Sequence, residues 1–288
     1  VKAGVDMLAR FTPALGGTGV WIWTRTLVGA FTMVHASIWA LRQIDLKMMM
    51  AYTTVMALGA LTMLLGQGSA MAVTAAMAFI LVHAFYKAAL FLGVGMIDKG
   101  AGTREYTQLG GLGRYMPITA IAIAIAALSM AGFPPMFGFI GKELIYGSLE
   151  DATWPWLIGG AALVANALMV VCAGVVAIRP FAGRRRIAPR AYTADPGWGL
   201  WIGPAILAGM GVLGGILAGR FEHFLVAPMV SAVTGSEIGA HLALWHGINP
   251  ALILSLVTFA IGIALYFLID PIRKALIKAD PKTPGTED

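Results

Sequence analysis

The chain has 288 residues, of which 59% are hydrophobic and only 12% charged, whereas a soluble domain carries about 25% charged residues; this argues against a soluble globular domain and for a bilayer protein. The net charge of +6 does not indicate nucleic acid, because Lys and Arg are spaced between apolar runs rather than gathered into one patch. Cys172, the one cysteine, sits inside an apolar run, which excludes an internal disulfide and predicts a small packed hydrophobe.

The opening stretch VKAGVDMLARFTP has no charged n-region, apolar h-region or small-residue cleavage site. It reads as the end of a helix that begins upstream, as expected for a fragment, a split gene product or a misplaced start. A bilayer core about 30 Å thick needs roughly 20 apolar residues as helix, and the apolar runs predict spans at about 20–41, 48–67, 72–97, 116–149, 154–178, 199–219 and 248–269. About seven transmembrane helices follow, and the fold class is an all-α polytopic membrane protein.

The connections after the odd spans hold the basic residues: Arg42 and Lys47; Lys99, Arg104 and Arg114; Arg179, Arg184, Arg185, Arg186 and Arg190; Arg273, Lys274, Lys278 and Lys282. Those after the even spans are nearly bare, so the positive-inside rule predicts cytoplasmic odd loops and a cytoplasmic C-terminus. The fourth span is too long for one straight crossing, and its centre contains Gly132, Pro134, Pro135, Gly138 and Gly141. Proline removes a backbone donor and clashes with the preceding turn, so the helix should break near Pro134. Broken helices inside a bilayer tend to line a hydrated cavity; a simple kink packed on its neighbours is the alternative. Residues 220–247, with Glu222, His223, Glu237, His241, Trp245 and His246, are expected to lie along the outer interface. The tail ADPKTPGTED is expected to be disordered.

With the loop charges set aside, Lys87 and Lys142 fall within spans, Lys47 at the mouth of the second, and Glu143 beside Lys142; His35 and His83 join them. A central Lys or Arg costs about 2.5 to 3.5 kcal/mol on insertion scales, so such residues usually face the bundle interior or water and mark a pathway. His83 and Lys87 are four residues apart and share one helix face. Histidine titrates near neutrality and desolvation disfavours a buried ammonium, so a lysine/histidine relay can exchange protons at cellular pH. Each residue also has a plainer reading. His83 alone suits a satisfied interior histidine, Lys142 a snorkelling lysine, Lys47 a positive-inside residue, and His35 a structural residue. Phosphate loops, CxxC pairs and HExxH spacing are absent from the sequence, so no cofactor, no metal and no catalysis on a soluble substrate are expected.

The runs IDLKMMMAYTTVMALG, ILVHAFYKAALFL and GFPPMFGFIGKE, in that order, resemble the antiporter-like membrane subunits shared by respiratory complex I and the multisubunit Mrp cation/proton antiporters. The resemblance covers about the first 180 residues. It implies one half of an inverted-repeat fold: a second repeat over 1–180, a cytoplasmic basic loop at 181–198, additional helices with an external interfacial segment over 199–272, and a cytoplasmic tail at 273–288. It further implies that Lys47, His83, Lys87 and Lys142 occupy proton-path positions and that Lys2 matches a lysine of the helix closing the first repeat; Lys2, Glu143 and His35 are candidate modulators, and Gly132, Pro134 and Pro135 form the break. The stretch HLALWHGINPALILSL is similar to the segment that follows the shared core in the large A-type component of Mrp antiporters. The function so implied is that of a proton-translocating subunit of a Na+/H+ antiporter in the bacterial inner membrane, a secondary transporter component rather than an enzyme. Its expected partners are other hydrophobic subunits, Na+, H+ and lipid. The alternatives are a proton-pumping subunit of an NADH:quinone oxidoreductase and a truncated, non-conducting scaffold.

Overall fold

The structure, a computed structural model, describes residues 2–184, 195–236, 242–245 and 247–279. Among these, Arg184 is the one described member of the Arg184–Arg186 cluster; Arg185, Arg186 and Arg190 of the basic loop, Glu237, His241 and His246, and the tail from 280 lie outside the described residues.

Helices α1 (Ala3–Leu15), α2 (Gly19–Arg42), α3 (Leu46–Gln67) and α4 (Ala70–Ala101) form the first part of the bundle. They are followed by α5 (Pro117–Ala131), α6 (Phe137–Gly147), α7 (Pro155–Ile178) and α8 (Trp198–Ile216). A short α9 (Ala218–Phe221), a π-turn (Glu222–Val226), α10 (Ala227–Thr234), α11 (Pro250–Phe267) and α12 (Ile269–Ala279) complete it. Among the described residues the β component is one bridge between Asp45 and Glu105.

Five of these helices, α3, α4, α7, α8 and α11, are long and apolar enough to cross a membrane. The other two expected spans are helical but different in kind. In α2, Arg25 and Arg42 are buried. The fourth span is a pair of half-helices of 15 and 11 residues, about 22 and 16 Å long at 1.5 Å per residue, each too short to cross alone.

Local chemistry sets the helix ends. The connection between α3 and α4 is two residues: Gly68, left-handed at φ 68°, stops one helix, and the Ser69 hydroxyl accepts the Ala72 N–H to start the next. Asp45 opens α3 by accepting the Lys47 and Met48 N–H groups, and its other oxygen takes Arg104 Nε at 2.5 Å. That carboxylate raises the Arg104 guanidinium above its ordinary range and ties the start of α3 to the loop after α4.

The α5–α6 break follows the sequence. Gly132 adopts φ 76°, its N–H reaches the Ser129 carbonyl, and Phe133 N–H bonds the Leu128 carbonyl, a Schellman ending that satisfies the last carbonyls of α5. The Ser129 hydroxyl accepts the Gly138 N–H of α6 at 3.3 Å, so protein groups meet the backbone donors that the break releases, as an apolar medium requires. The apolar floor of the break is α8, where Gly215 lies against the Pro135 carbonyl and Gly214 against the Phe137 ring.

Three features depart from the sequence expectation. The stretch 218–234 does not merely lie along an interface: it packs on α4 and α1, with Val226 and Val230 fully buried and the Phe221 ring against Phe85 and Phe137. The expected boundary at 272/273 falls within α12, whose Arg273 donates to the Tyr106 hydroxyl. An α4 of 32 residues runs on to Ala101, about 48 Å in all.

At the α2–α3 crossing glycines face each other. A Cβ on Gly29 would lie 2.5 Å from Met63 N, and one on Gly59 would lie 2.5 Å from Met33 N, so only small residues let these backbones approach. Gly59→Val should therefore cost roughly 1–3 kcal/mol through overpacking and lower the thermal midpoint of the purified protein, whereas Gly95→Ala, where an added Cβ meets nothing within 4 Å, should leave it unchanged. A Gly59→Val midpoint equal to wild type would contradict the crossing.

Candidate functional site

On α4, Ile80, His83 and Lys87 share one face at helical spacing. Lys2 reaches this face from α1, its Nζ donating to the Ile80 carbonyl at 2.8 Å. One turn further along, His83 is only 2% exposed, with neither ring nitrogen hydrogen-bonded among the described residues and its ring edge-on to Tyr86 at 5.4 Å. Lys87, 5% exposed, donates from Nζ to Thr53 Oγ1 at 2.5 Å and to the Met50 carbonyl at 3.2 Å. Thr53 passes its own proton to α3 carbonyls, that of Met50 at 3.0 Å among them, which leaves its oxygen to accept from the ammonium.

Lys142 approaches from the half-helix α6. It is 5% exposed and folds back on the break, so that a Cβ on Gly132 would lie 3.0 Å from its Cε. Its Nζ stands 3.3 Å from the Phe259 ring centroid, a cation–π contact, and has no hydrogen-bond partner among the described residues. Tyr86, Ser129, Lys142 and Asn166 line one cavity of about 10 Å³, room for roughly one water molecule. The buried Tyr86 hydroxyl also has no partner among the described residues. Tyr86 thus touches both sides: its ring meets His83 and its residue walls the cavity of Lys142.

Beyond Lys142 the polar line continues. Tyr146 is four residues along α6 and shares its face. Its hydroxyl lies 2.6 Å from Thr258 Oγ1 and accepts from Asn166 Nδ2 at 3.4 Å. Because Thr258 donates to the Leu254 carbonyl at 2.7 Å, the proton between the two hydroxyls belongs to Tyr146. Tyr146 also walls an open cavity of about 560 Å³, together with Thr74, Glu143, Glu150, Asp151 and Asn249.

The sequence-predicted residues therefore separate. His83, Lys87 and Lys142 are buried and converge through Tyr86; Lys2 joins their row. Glu143 is buried as well but lines the large cavity. The Lys47 side chain is exposed in the first turn of α3, whose inward positions are Met49, Met50 and Thr53. His35 is exposed on α2, stacked on Phe31 and near Trp39. Thr53, Tyr86, Asn166, Tyr146 and Thr258 were not singled out from sequence. The signal available was faint: isolated polar residues in apolar spans, with Tyr146 at the fourth position from Lys142. Among the described residues, three or more His, Cys, Asp or Glu side chains do not cluster as a metal site would need.

Cations carried deep on apolar helices, one of them beside a helix break, fit a polytopic membrane protein. The profile of the NADH:quinone oxidoreductase/Mrp antiporter transmembrane family matches residues 1–169, more than half of the chain, and the chain belongs to that family. It is 36% identical to a probable K(+)/H(+) antiporter component of A/B type from Rhizobium meliloti (strain 1021), over 98% of this chain and 29% of that protein. It is 30% identical to the A-type component of the Na(+)/H(+) antiporter of Alkalihalophilus pseudofirmus, over 99% of this chain and 39% of that one. A chain in the solved structure of the Mrp complex from Dietzia sp. DQ12-45-1b superposes with a TM-score of 0.85 at 32% identity, over 99% of this chain and 31% of that chain. The chain thus spans less than two fifths of the length of each. Similarity to the A-type component of Alkalihalophilus pseudofirmus extends over 99% of this chain and so includes the stretch HLALWHGINPALILSL.

The Lys87–Thr53 contact gives a thermodynamic test. Thr53→Val leaves the buried ammonium short of an acceptor and should cost about 1–3 kcal/mol, while Thr53→Val with Lys87→Met, which removes both partners, should recover most of the loss. Thermal midpoints of the four proteins measure the coupling; additive losses would show that the contact is unimportant.

Proposed function

We propose that this chain is the second proton-conducting repeat, with the helices that follow it, of a multisubunit monovalent cation/proton antiporter in the bacterial plasma membrane. The observation that carries the proposal is a pair of buried lysines on different helices, Lys87 on α4 and Lys142 on α6, with Tyr86 of α4 touching His83 and walling the cavity of Lys142. A structural role seldom justifies two such charges at membrane depth. The matched A-type relatives support the antiporter over a redox-driven pump, and their names, one for K(+) and one for Na(+), make both cations candidates beside the Na+ that the sequence favours.

In this reading the basic loops and the C-terminus are cytoplasmic, seven crossings include α2 and the α5–α6 pair, and the exposed Lys47 gathers protons at the cytoplasmic mouth. The buried relay is His83 and Lys87 with Lys2 beside it, then Lys142 across the small cavity. Like charges in such a row couple, so that a proton gained at one site favours release from the next. From Lys142 the Tyr146 hydroxyl and the cavity lined by Glu143, Glu150 and Asp151 give a route to the outer face. Moving one charge across 100 mV is worth about 2.3 kcal/mol, the driving force such a relay couples to cation export. The partners are the other membrane subunits that complete the polar interior.

The test is exchange in everted vesicles, followed with a pH-sensitive dye as Na+ or K+ is added, with all subunits present. Lys87→Ala and Lys142→Ala should each reduce exchange more than roughly tenfold, a barrier change above about 1.4 kcal/mol, in complexes that assemble normally. Lys47→Ala, at an exposed site, should slow exchange without abolishing it. Wild-type exchange by an assembled Lys87→Ala complex would refute the relay; co-purification with flavin and iron–sulfur subunits would favour the respiratory reading. For the route outward, Tyr146→Phe should slow exchange while leaving assembly intact, and an unchanged rate would remove Tyr146 from the path.

A further inference from the structure

An apolar groove of about 430 Å³ runs between α5, α7 and α11, its lining including Leu128, Phe133, Gly174, Ile178, Ile263 and Phe267. The walls face outward, with Ile263 48% and Phe267 77% exposed. Along α7 the groove extends from Val170 to Ile178, about 12 Å at 1.5 Å per residue. An extended hydrocarbon chain can lie along a groove of this length and apolar lining.

At Ile178 the groove meets a second pocket, of about 180 Å³, walled also by Leu109, Gly110, Arg179, Gly183 and Arg184. The Arg179 guanidinium is held there by Asp270, to which Nη2 donates at 3.0 Å, and lies 5.8 Å from the Tyr266 ring. An apolar slot that opens at one end onto two arginines matches one ligand chemistry: a hydrocarbon tail joined to an anionic phosphate, which guanidinium groups bind in forked geometry. Basic pockets between transmembrane helices are known to take anionic headgroups.

We propose that groove and pocket together bind one anionic phospholipid, with an acyl chain between α5, α7 and α11 and the phosphate on Arg184 and Arg179. The upper end of the slot is closed by Phe133 and Phe259, whose rings meet at 5.2 Å, and Phe259 is the ring on which Lys142 stands. The bound chain accordingly seals the bilayer side of the helix break. The proposal does not depend on proton conduction.

The experiment uses the assembled complex in nanodiscs with phosphatidylglycerol carrying a photoactivatable diazirine in its acyl chain, followed by peptide mapping of the cross-links. Labelling is expected on α7 within 170–178 and on α11 within 259–267, displaced by unlabelled phosphatidylglycerol and not by phosphatidylcholine. Arg184→Ala should lower it about fivefold, the loss expected for one arginine near an anionic headgroup, and Ala177→Trp, which fills the slot, should lower it in complexes that accumulate as wild type does. Equal displacement by phosphatidylcholine, labelling indifferent to Arg184→Ala, or cross-links found instead on a protein helix covering these segments would each overturn it.

Discussion

A polar group inside this bundle is costly unless protein or trapped water meets it, because the surrounding hydrocarbon offers no hydrogen bonds. The Lys87 ammonium shows how the constraint is solved: it is carried on α4, but its acceptors, the Met50 carbonyl and the Thr53 hydroxyl, belong to α3. The lysine is thereby tied to the α3–α4 hairpin, which Gly68 and Ser69 close in two residues, and to the α2–α3 glycine crossing that fixes α3 in depth. The same rule governs the break. Ending α5 at Ala131 would strand carbonyls in an apolar medium; the Gly132 turn meets them with the Gly132 and Phe133 N–H groups, and the Ser129 hydroxyl meets the Gly138 N–H that α6 leaves open.

Where satisfaction is incomplete, chemistry becomes possible. His83, the Tyr86 hydroxyl and Lys142 Nζ are buried without hydrogen-bond partners among the described residues, and buried polar groups left unmatched are costly enough to need a reason. They are not scattered: Tyr86 touches His83 and shares a cavity with Lys142. A row of titratable groups bound too firmly would hold its protons; one bound loosely, with room for about a water molecule between members, can pass them on. On the far side of Lys142, the directed bonds from Asn166 through Tyr146 to Thr258 fix one hydroxyl between the buried lysine and an open, acid-lined cavity.

Much of the architecture is legible in the sequence. Apolar runs locate the helices to within a few residues, because a bilayer demands near-continuous hydrophobicity over a known length. Pro134, Pro135 and Gly132 locate the break, because neither missing backbone donors nor left-handed turns can hide in a helix. The segment 218–234 is harder to read. Its moderate polarity suits an interface equally well, and only packing against Phe85 and Phe137 draws Phe221 into the bundle. Similarly, α12 has its apolar and charged residues mixed in a way that composition reads as tail, and Arg273 gains its place from Tyr106, 167 residues away in sequence.

For the site, the sequence by itself determined which side chains were exceptional: Lys87, Lys142 and His83 stand out wherever charge is expensive. Tertiary structure alone decided which of them meet. Lys2 lies 78 positions from Ile80 and Tyr146 lies 112 from Thr258, separations that no helical period encodes. Lys47, in the same helix as the inward-facing Met50 and Thr53, is exposed because the rotation of α3 against α2 and α4 turns that position out of the bundle. Helical period and hydrophobicity act within a segment and so are written in the local sequence, whereas the rotation and depth of one helix against another arise from glycine contacts, capped turns and long-range hydrogen bonds that exist only once the bundle has closed.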